Sequence, residues 1–286
     1  MSNPIHNYSS LKTFDIKKDL FDQDFQKEIC ADERFVPFSC IKIDKPEQLF
    51  SFFEKVYNLE TAGEEFFYRG QSNSDWLLVS TLEREIDGKI SIDDAKVKIF
   101  SSFFKKLRGN LIDQSLLKIT HTEHERELWA IGRHYDLKTP YLDWSKSIYV
   151  ALFMANSEPK KPKETSEYSA LFMVNANYFP EYHGIMERFW FTPKTDYYGR
   201  ITAQKGYLSE YTIRDYIRKA IEHFDKIKNE KHQFAFKIYI KNELRTEILN
   251  YLNHIGINYS SMYPDLLGVV KSVNNELTEL LIQRSK

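Results

Sequence analysis

Apolar and polar positions alternate along this 286-residue chain with two periods, and the change between them marks the elements. The stretch DKPEQLFSFFEKVYNL begins at Asp44, read as an N-cap, and carries an early proline. Its apolar residues Leu49, Phe52, Phe53 and Val56 recur at helical spacing, which predicts a helix. EEFFYRG, ending at Gly70, reads as a strand closed by a glycine. SIDDAKVKIFSSFFKKLRGN predicts a second amphipathic helix stopped at Gly109 and Asn110, and TEHERELWAIGRHYDL a third beginning at Thr122.

TPYLDW then reads as a short strand and SKSIYVALFMANS as a helix that is small or apolar all along. The charged, proline-bearing SEPKKPKETSE predicts a surface loop. Beyond it, SALFMVNAN, GYLSEYTI and FAFKIYI read as strands. DYIRKAIEHFDKIKNE, NELRTEILNYLNHIG and PDLLGVVKSVNNELTELLIQ read as helices, the last with Pro264 near its first turn. Strands and helices mix without strict βαβ alternation, so the expected class is α+β, with a mixed or antiparallel central sheet and flanking helices. The expected organisation is one domain over residues 45–286 behind an N-terminal extension, residues 1–44. That extension alternates acids, lysines and phenylalanines and reads as peripheral helix or extended cover.

Bulk composition narrows the function classes. Forty basic against 41 acidic residues leave a formal net charge of −1, which argues against long-range steering toward nucleic acid. Two cysteines without CxxC spacing argue against a disulfide framework or a cysteine-rich zinc site. No secretory leader and no apolar run long enough to span a bilayer are evident, so the expectation is a cytoplasmic protein with no membrane partner. The HTEHERE stretch places His121 and His124 three apart but fits no zinc-protease pattern, so no metal is expected. A Walker phosphate loop and a GxSxG elbow are both missing, and KKPKE at 160–164 is too short for a nucleic-acid patch.

Three islands remain as candidate chemistry: FFYRGQSNSDWLLVSTLER at 66–84, HYDLKTPYLDWSKSIYVALFMA at 134–155, and RITAQKGYL at 200–208. A strand that delivers a guanidinium and then a glycine is an unusual economy for either a core or a surface. Arg69 reads either as an anion-reading fork or as a structural partner of Asp143 across neighbouring strands. His134 lies where a histidine complements a helix C-terminus. Trp76 and Trp144 read as core first and stacking platforms second, and Gln204 as either a ligand contact or a turn brace.

Together these islands resemble the FRG domain, a bacterial and phage family named after a Phe/Tyr-Arg-Gly motif. The motif here is Tyr68-Arg69-Gly70, followed by Gln71 and Trp76. His134-Tyr135, Thr139-Pro140, Leu142-Asp143-Trp144 and Ala151-Leu152-Phe153 match the second motif, and Gln204, Gly206 and Tyr207 the third. Arg133 stands where the family usually has Gln, Asp136 where it has Gly, and Ser145 where it has Thr. A more distant likeness is to ADP-ribosyltransferases, in which an arginine on a first strand holds NAD, a hydroxyl-bearing strand orders the pocket, and a late Glu or Gln grips the nicotinamide ribose.

That likeness implies an NAD-using enzyme, a mono-ADP-ribosyltransferase or NAD glycohydrolase, with an effector role in defence against phage implied by the FRG family. Under it, Gln204, Asp143, His134 and Glu210 are the catalytic candidates. Arg69, Gly70, Gln71, Trp144, Ser145 and Arg84 are the cofactor-binding candidates. Breaking a ribosyl bond passes through an oxocarbenium-like state that wants a carboxylate nearby. Gln204 would bring no charge, so Asp143 or Glu210 must supply it. The acceptor would be a protein or nucleic acid of unspecified kind. The alternatives are a non-catalytic module recognising a nucleotide or a protein tail, and a single-strand nucleic-acid binder using Arg69, Arg84 and exposed aromatics.

Overall fold

A computed structural model describes residues 11–18, 20, 26–27, 38–118, 122–158, 166–178, 189–219 and 235–284. In chain order the first half runs β1 (Gln26–Lys27), β2 (Ser39–Ile43), α1 (Pro46–Thr61), β3 (Phe66–Gln71), α2 (Thr81–Ile86), α3 (Ile92–Lys106) and α4 (Thr122–His134). The second half runs β4 (Tyr141–Ser145), α5 (Ile148–Asn156), β5 (Tyr168–Asn175), β6 (Trp190–Phe191), α6 (Arg200–Ala203), β7 (Gly206–Glu210) and β8 (Ala235–Lys241). Helices α7 (Arg245–His254), α8 (Tyr259–Met262) and α9 (Leu266–Arg284) close it. Residues 213–219 are also helical, and the remainder of the helix expected at 215–230 lies outside the described residues.

One eight-stranded sheet in the order β1-β2-β8-β5-β3-β4-β7-β6 organises the chain. β2 runs parallel to β8 and every other neighbouring pair is antiparallel, so the sheet is mixed and the class is α+β. β2 lies in the N-terminal stretch that reads as cover, yet Cys40, Ile41 and Ile43 are fully buried. Its short, alternating SCIKI carries too little apolar length to announce an interior strand.

Two apolar layers flank the sheet. Phe52, Val56, Phe66, Tyr68, Leu152, Ile238 and Leu252 pack one face beneath α1, α5 and α7. Phe67, Trp144, Phe172, Val174, Trp190 and Tyr239 pack the other. Because β5 is sandwiched, all eight of its residues are buried, which explains its unbroken apolar run. Burying each large side chain contributes about 1.5–3 kcal/mol before ordering costs. Phe67 stacks on Trp190 with centroids 4.3 Å apart, and Trp144 meets the same indole edge-on at 6.0 Å.

Local signals set most boundaries. Pro46 opens α1, but the cap is Lys45 rather than Asp44; Gln48 Oε1 accepts from the backbone N–H groups of both residues, which satisfies the orphan donors. Ser147 caps α5. α4 ends in a left-handed residue, Asp136 at φ 65°, and the Leu137 N–H donates back to the Gly132 carbonyl. That is the position where the FRG pattern has glycine, and aspartate is among the few side chains that tolerate it. The loop expected at 157–167 and KKPKE fall largely outside the described residues, as does His121; His124 Nδ1 lies 2.9 Å from the Lys118 carbonyl. Among the described residues no helix is long and apolar enough to cross a membrane, and no group of histidines, cysteines or carboxylates is arranged to hold a metal.

Candidate functional site

The three motif-bearing strands are neighbours in the sheet: β3 carries Arg69, β4 carries Asp143, and the turn before β7 carries Gln204. Between β3 and β4 the ladder pairs only Tyr68 with Ser145. Beyond that pair the guanidinium takes over the bonding, and Arg69 Nη1 donates to the Asp143 backbone carbonyl at 2.7 Å. The strand therefore brings its charge to the gap between two strands, not to open solvent. Arg69 leaves 13% of its side chain exposed, and its buried Nε has no hydrogen-bond partner among the described residues.

Gly70 answers a packing demand. A Cβ built on it would stand 1.9 Å from the Ala151 carbonyl oxygen and 2.7 Å from the Ala155 nitrogen. The missing side chain lets α5 lie directly on β3, and Val150, Ala151 and Met154 of that helix line the cavity beside Arg69. Gly70 itself lines the cavity, while the space a side chain would take is filled by helix backbone.

The cavity measures about 310 Å³ and its walls include Arg69, Arg133, His134, Asp143, Arg200, Gln204, Tyr207 and Tyr263. Asp143 is the carboxylate among its lining residues, and Arg133 holds it as a fork: Nε donates to Oδ1 at 2.5 Å and Nη2 to Oδ2. The same guanidinium donates to Thr139 Oγ1 at 2.9 Å and to the Tyr141 carbonyl at 3.3 Å, which locks its plane. Arg69 Nη1 stands 3.7 Å from Oδ2 of the shared carboxylate. Two guanidiniums around one carboxylate leave one positive charge in excess. Across the cavity Arg200 is fully matched by Asp265, through Nε to Oδ2 at 2.5 Å and Nη2 to Oδ1 at 2.9 Å.

Titration behaviour follows from this arrangement. Burial lowers the Arg69 pKa to about 10, with Asp143 pulling it up and Arg133 and Arg84 pushing it down, so the group stays charged at neutral pH. Burial works to raise the Asp143 carboxyl, but the charge and hydrogen bonds of Arg133, joined by the charge of Arg69, outweigh it and hold the pKa below the ordinary value. Burial, then the charge of Arg200, lowers His134, which therefore faces the cavity as a neutral imidazole. Among the described residues neither ring nitrogen of His134 has a hydrogen-bond partner; Tyr198 meets the ring edge-on at 6.4 Å.

The cavity brings together Arg69, Gly70, His134, Asp143, Trp144, Ser145 and Gln204, and leaves out Gln71, Arg84 and Glu210. Three of those brought together are committed elsewhere. The Trp144 indole is 3% exposed and donates to Ser209 Oγ at 2.8 Å. Ser145 Oγ donates to the Gln204 carbonyl at 2.7 Å and accepts from the Ser147 N–H. Gln204 Nε2 donates to the Met262 carbonyl at 2.9 Å, which leaves its Oε1 to accept. Gln71, two residues further along β3, is buried outside the cavity and donates to the Leu77 carbonyl. Arg84 is exposed on α2 and reaches Arg69 only through its field. Glu210 lies four residues along β7 from Gly206, 3.6 Å from the Lys96 ammonium. Trp76, expected in the core, is 45% exposed.

Sequence reasoning missed Arg133, Arg200 and Tyr263. Arg133 was visible only as a departure from a family pattern, and its place in the last turn of α4, ten residues before Asp143, gives no local sign of pairing. Arg200 and Tyr263 meet through the contact of α6 with α8, 63 residues apart in the chain, with the guanidinium 5.5 Å from the ring centroid.

Residues 64–164 match the family model of the FRG domain, from the approach to β3 to just past α5. Arg69, Arg133, His134, Asp143 and Ser145 fall inside the match, and Arg200, Gln204 and Tyr263 beyond it. No curated protein and no solved structure matches the chain.

Proposed function

We propose, for a chain that carries an FRG domain over residues 64–164, that the cavity binds a nucleotide by its phosphates, that NAD is the substrate, and that the reaction is ADP-ribosyl transfer or NAD hydrolysis. One observation carries the reading. The Arg69 guanidinium stands in a cavity with an excess positive charge and keeps a buried Nε that has no acceptor among the described residues, which costs about 1–3 kcal/mol until an anion oxygen arrives. A planar fork reads two phosphate oxygens at once, which a lysine cannot copy. The adjacency of the three motif strands supports an ADP-ribosyltransferase-like reading of Arg69, Asp143 and Gln204.

The residues divide the work as follows. Arg69 and Arg133 take phosphate oxygens of the nucleotide, and in doing so loosen their hold on Asp143. The freed carboxylate, 53% exposed, then supports the positive charge that develops on the ribose as its bond to nicotinamide breaks and the electron pair leaves with nicotinamide. Gln204 Oε1 accepts from a ribose hydroxyl. Neutral His134 takes the proton of the incoming water or acceptor hydroxyl as the new bond to the ribose forms. The FRG match is also the ground for an effector role in bacterial defence against phage.

The Arg133–Asp143 fork favours a second reading, a nucleotide-recognition module without catalysis, because it neutralises the carboxylate the chemistry needs. Incubation with NAD, with and without cell extract as a source of acceptor, separates the two. Release of nicotinamide by the wild type and its loss in Arg69→Lys supports the enzyme; binding of ADP-ribose without release assigns the module.

A further inference from the structure

A second cavity of about 400 Å³ opens beside the arginine pocket, and Pro193, Ile201, Gly206 and Tyr207 line both. Lys146, Lys194 and Lys205 line it, with the hydroxyl-bearing Thr192 and Thr202. The Lys146 ammonium is paired with Glu65 and sits 3.6 Å above the Phe67 ring; that of Lys194 is 2.9 Å from Glu123. The Asp196 carboxylate, also on this wall, is taken up by the Ile201 and Thr202 N–H groups and the Thr202 hydroxyl. Lys205 is different: among the described residues its ammonium has no ion-pair or hydrogen-bond partner.

Lys205 also sits at φ 45°, in the left-handed region, between Gln204 of the arginine pocket and Gly206 of the shared wall. The turn is fixed on both sides, since its N–H donates to the Thr202 carbonyl at 3.2 Å and its carbonyl accepts the Lys146 N–H at 3.1 Å. Glycine would occupy this position without strain, so a lysine here bears a conformational cost that the fold alone does not demand.

Size sets the other constraint. At about 310 Å³ the arginine pocket lies at the foot of the range of roughly 300–1,000 Å³ for drug-sized ligands. Two bases, two riboses and a pyrophosphate need more room than that. We propose that the ligand is a pyrophosphate-linked nucleotide whose two phosphates span both cavities, with Arg69 and Arg133 on one phosphate and the Lys205 ammonium, a compact point charge, on the other. This rests on the nucleotide reading of the arginine pocket and adds to it a bipartite ligand and a residue that selects for it.

Calorimetric titration of the full chain with AMP, nicotinamide mononucleotide and ADP-ribose tests it, using Lys205→Gly, which keeps the turn, and Lys205→Arg, which keeps the charge. The wild type should bind ADP-ribose at least about tenfold more tightly than either mononucleotide. Lys205→Gly should lose about tenfold for ADP-ribose while mononucleotide affinity holds within about twofold, and Lys205→Arg should retain most of the preference. Equal wild-type affinity for the three ligands overturns the proposal. So does a Lys205→Gly variant that binds ADP-ribose unchanged, or loses all three alike. If nothing binds, the arginine-pocket reading fails and this inference fails with it; ADP-ribose binding that ignores Lys205 sinks the second cavity alone.

Discussion

Arg133 closes a fork on both carboxylate oxygens of Asp143, while Arg69 reaches the same residue through its backbone carbonyl. The three therefore form one unit in which a single carboxylate compensates two guanidiniums. Removing that compensation has a cost that its half-exposed position moderates. Asp143→Asn should lower unfolding stability by about 1–3 kcal/mol in urea titration, between the values for exposed and buried pairs. Added inorganic phosphate should restore more stability to the variant than to the wild type, because it replaces the missing anion.

Acid should weaken the fold in two separable steps. His134 has a folded pKa below its unfolded value of about 6.5, so the unfolded chain takes up a proton first and stability falls as pH drops below that value. Asp143 also has a depressed folded pKa, so its contribution is present above about 3.9 and is lost as pH falls through the lower folded value. Denaturant midpoints measured from pH 8 to pH 3 should show the upper step in the wild type and lose it in His134→Gln.

Gly70→Ala should be among the most damaging single changes to the chain. Its methyl group would collide with helix backbone at Ala151, which cannot rotate away as a side chain would. A loss of about 3 kcal/mol or more is expected, read as a collapse of the thermal midpoint or of soluble expression.

Much of the frame was legible because its signals are local. The fully buried β5 announced itself as an unbroken apolar run, and α5 as a small-and-apolar helix after Ser147. The convergence of Arg69, His134, Asp143 and Gln204 was legible only through motif order, since nothing in their spacing states that β3, β4 and β7 are neighbours. What stayed hidden depends on pairing across the fold. Glu210 looked as eligible as Asp143 until β7 carried it away toward Lys96. Arg133 looked like a departure until the last turn of α4 set it against β4. The length of β2 was too short to reveal that it runs inside the sheet.

Asp136 offers a test of one departure on its own. At φ 65° it stands where glycine has no steric cost, offset in part by the extra freedom glycine gives the unfolded chain. Asp136→Gly should therefore stabilise the protein slightly, by up to about 1 kcal/mol, and leave ligand binding unchanged.

The Arg69 and Arg133 guanidiniums are proposed to form a phosphate-reading site. Equilibrium titration of ADP-ribose into the wild type, Arg69→Lys and Arg133→Lys, each checked for folding by circular dichroism, tests it most directly. The wild type should bind, and each variant should lose at least about tenfold although the positive charge is kept. Absence of wild-type binding, or lysine variants that bind as well as the wild type, would contradict it.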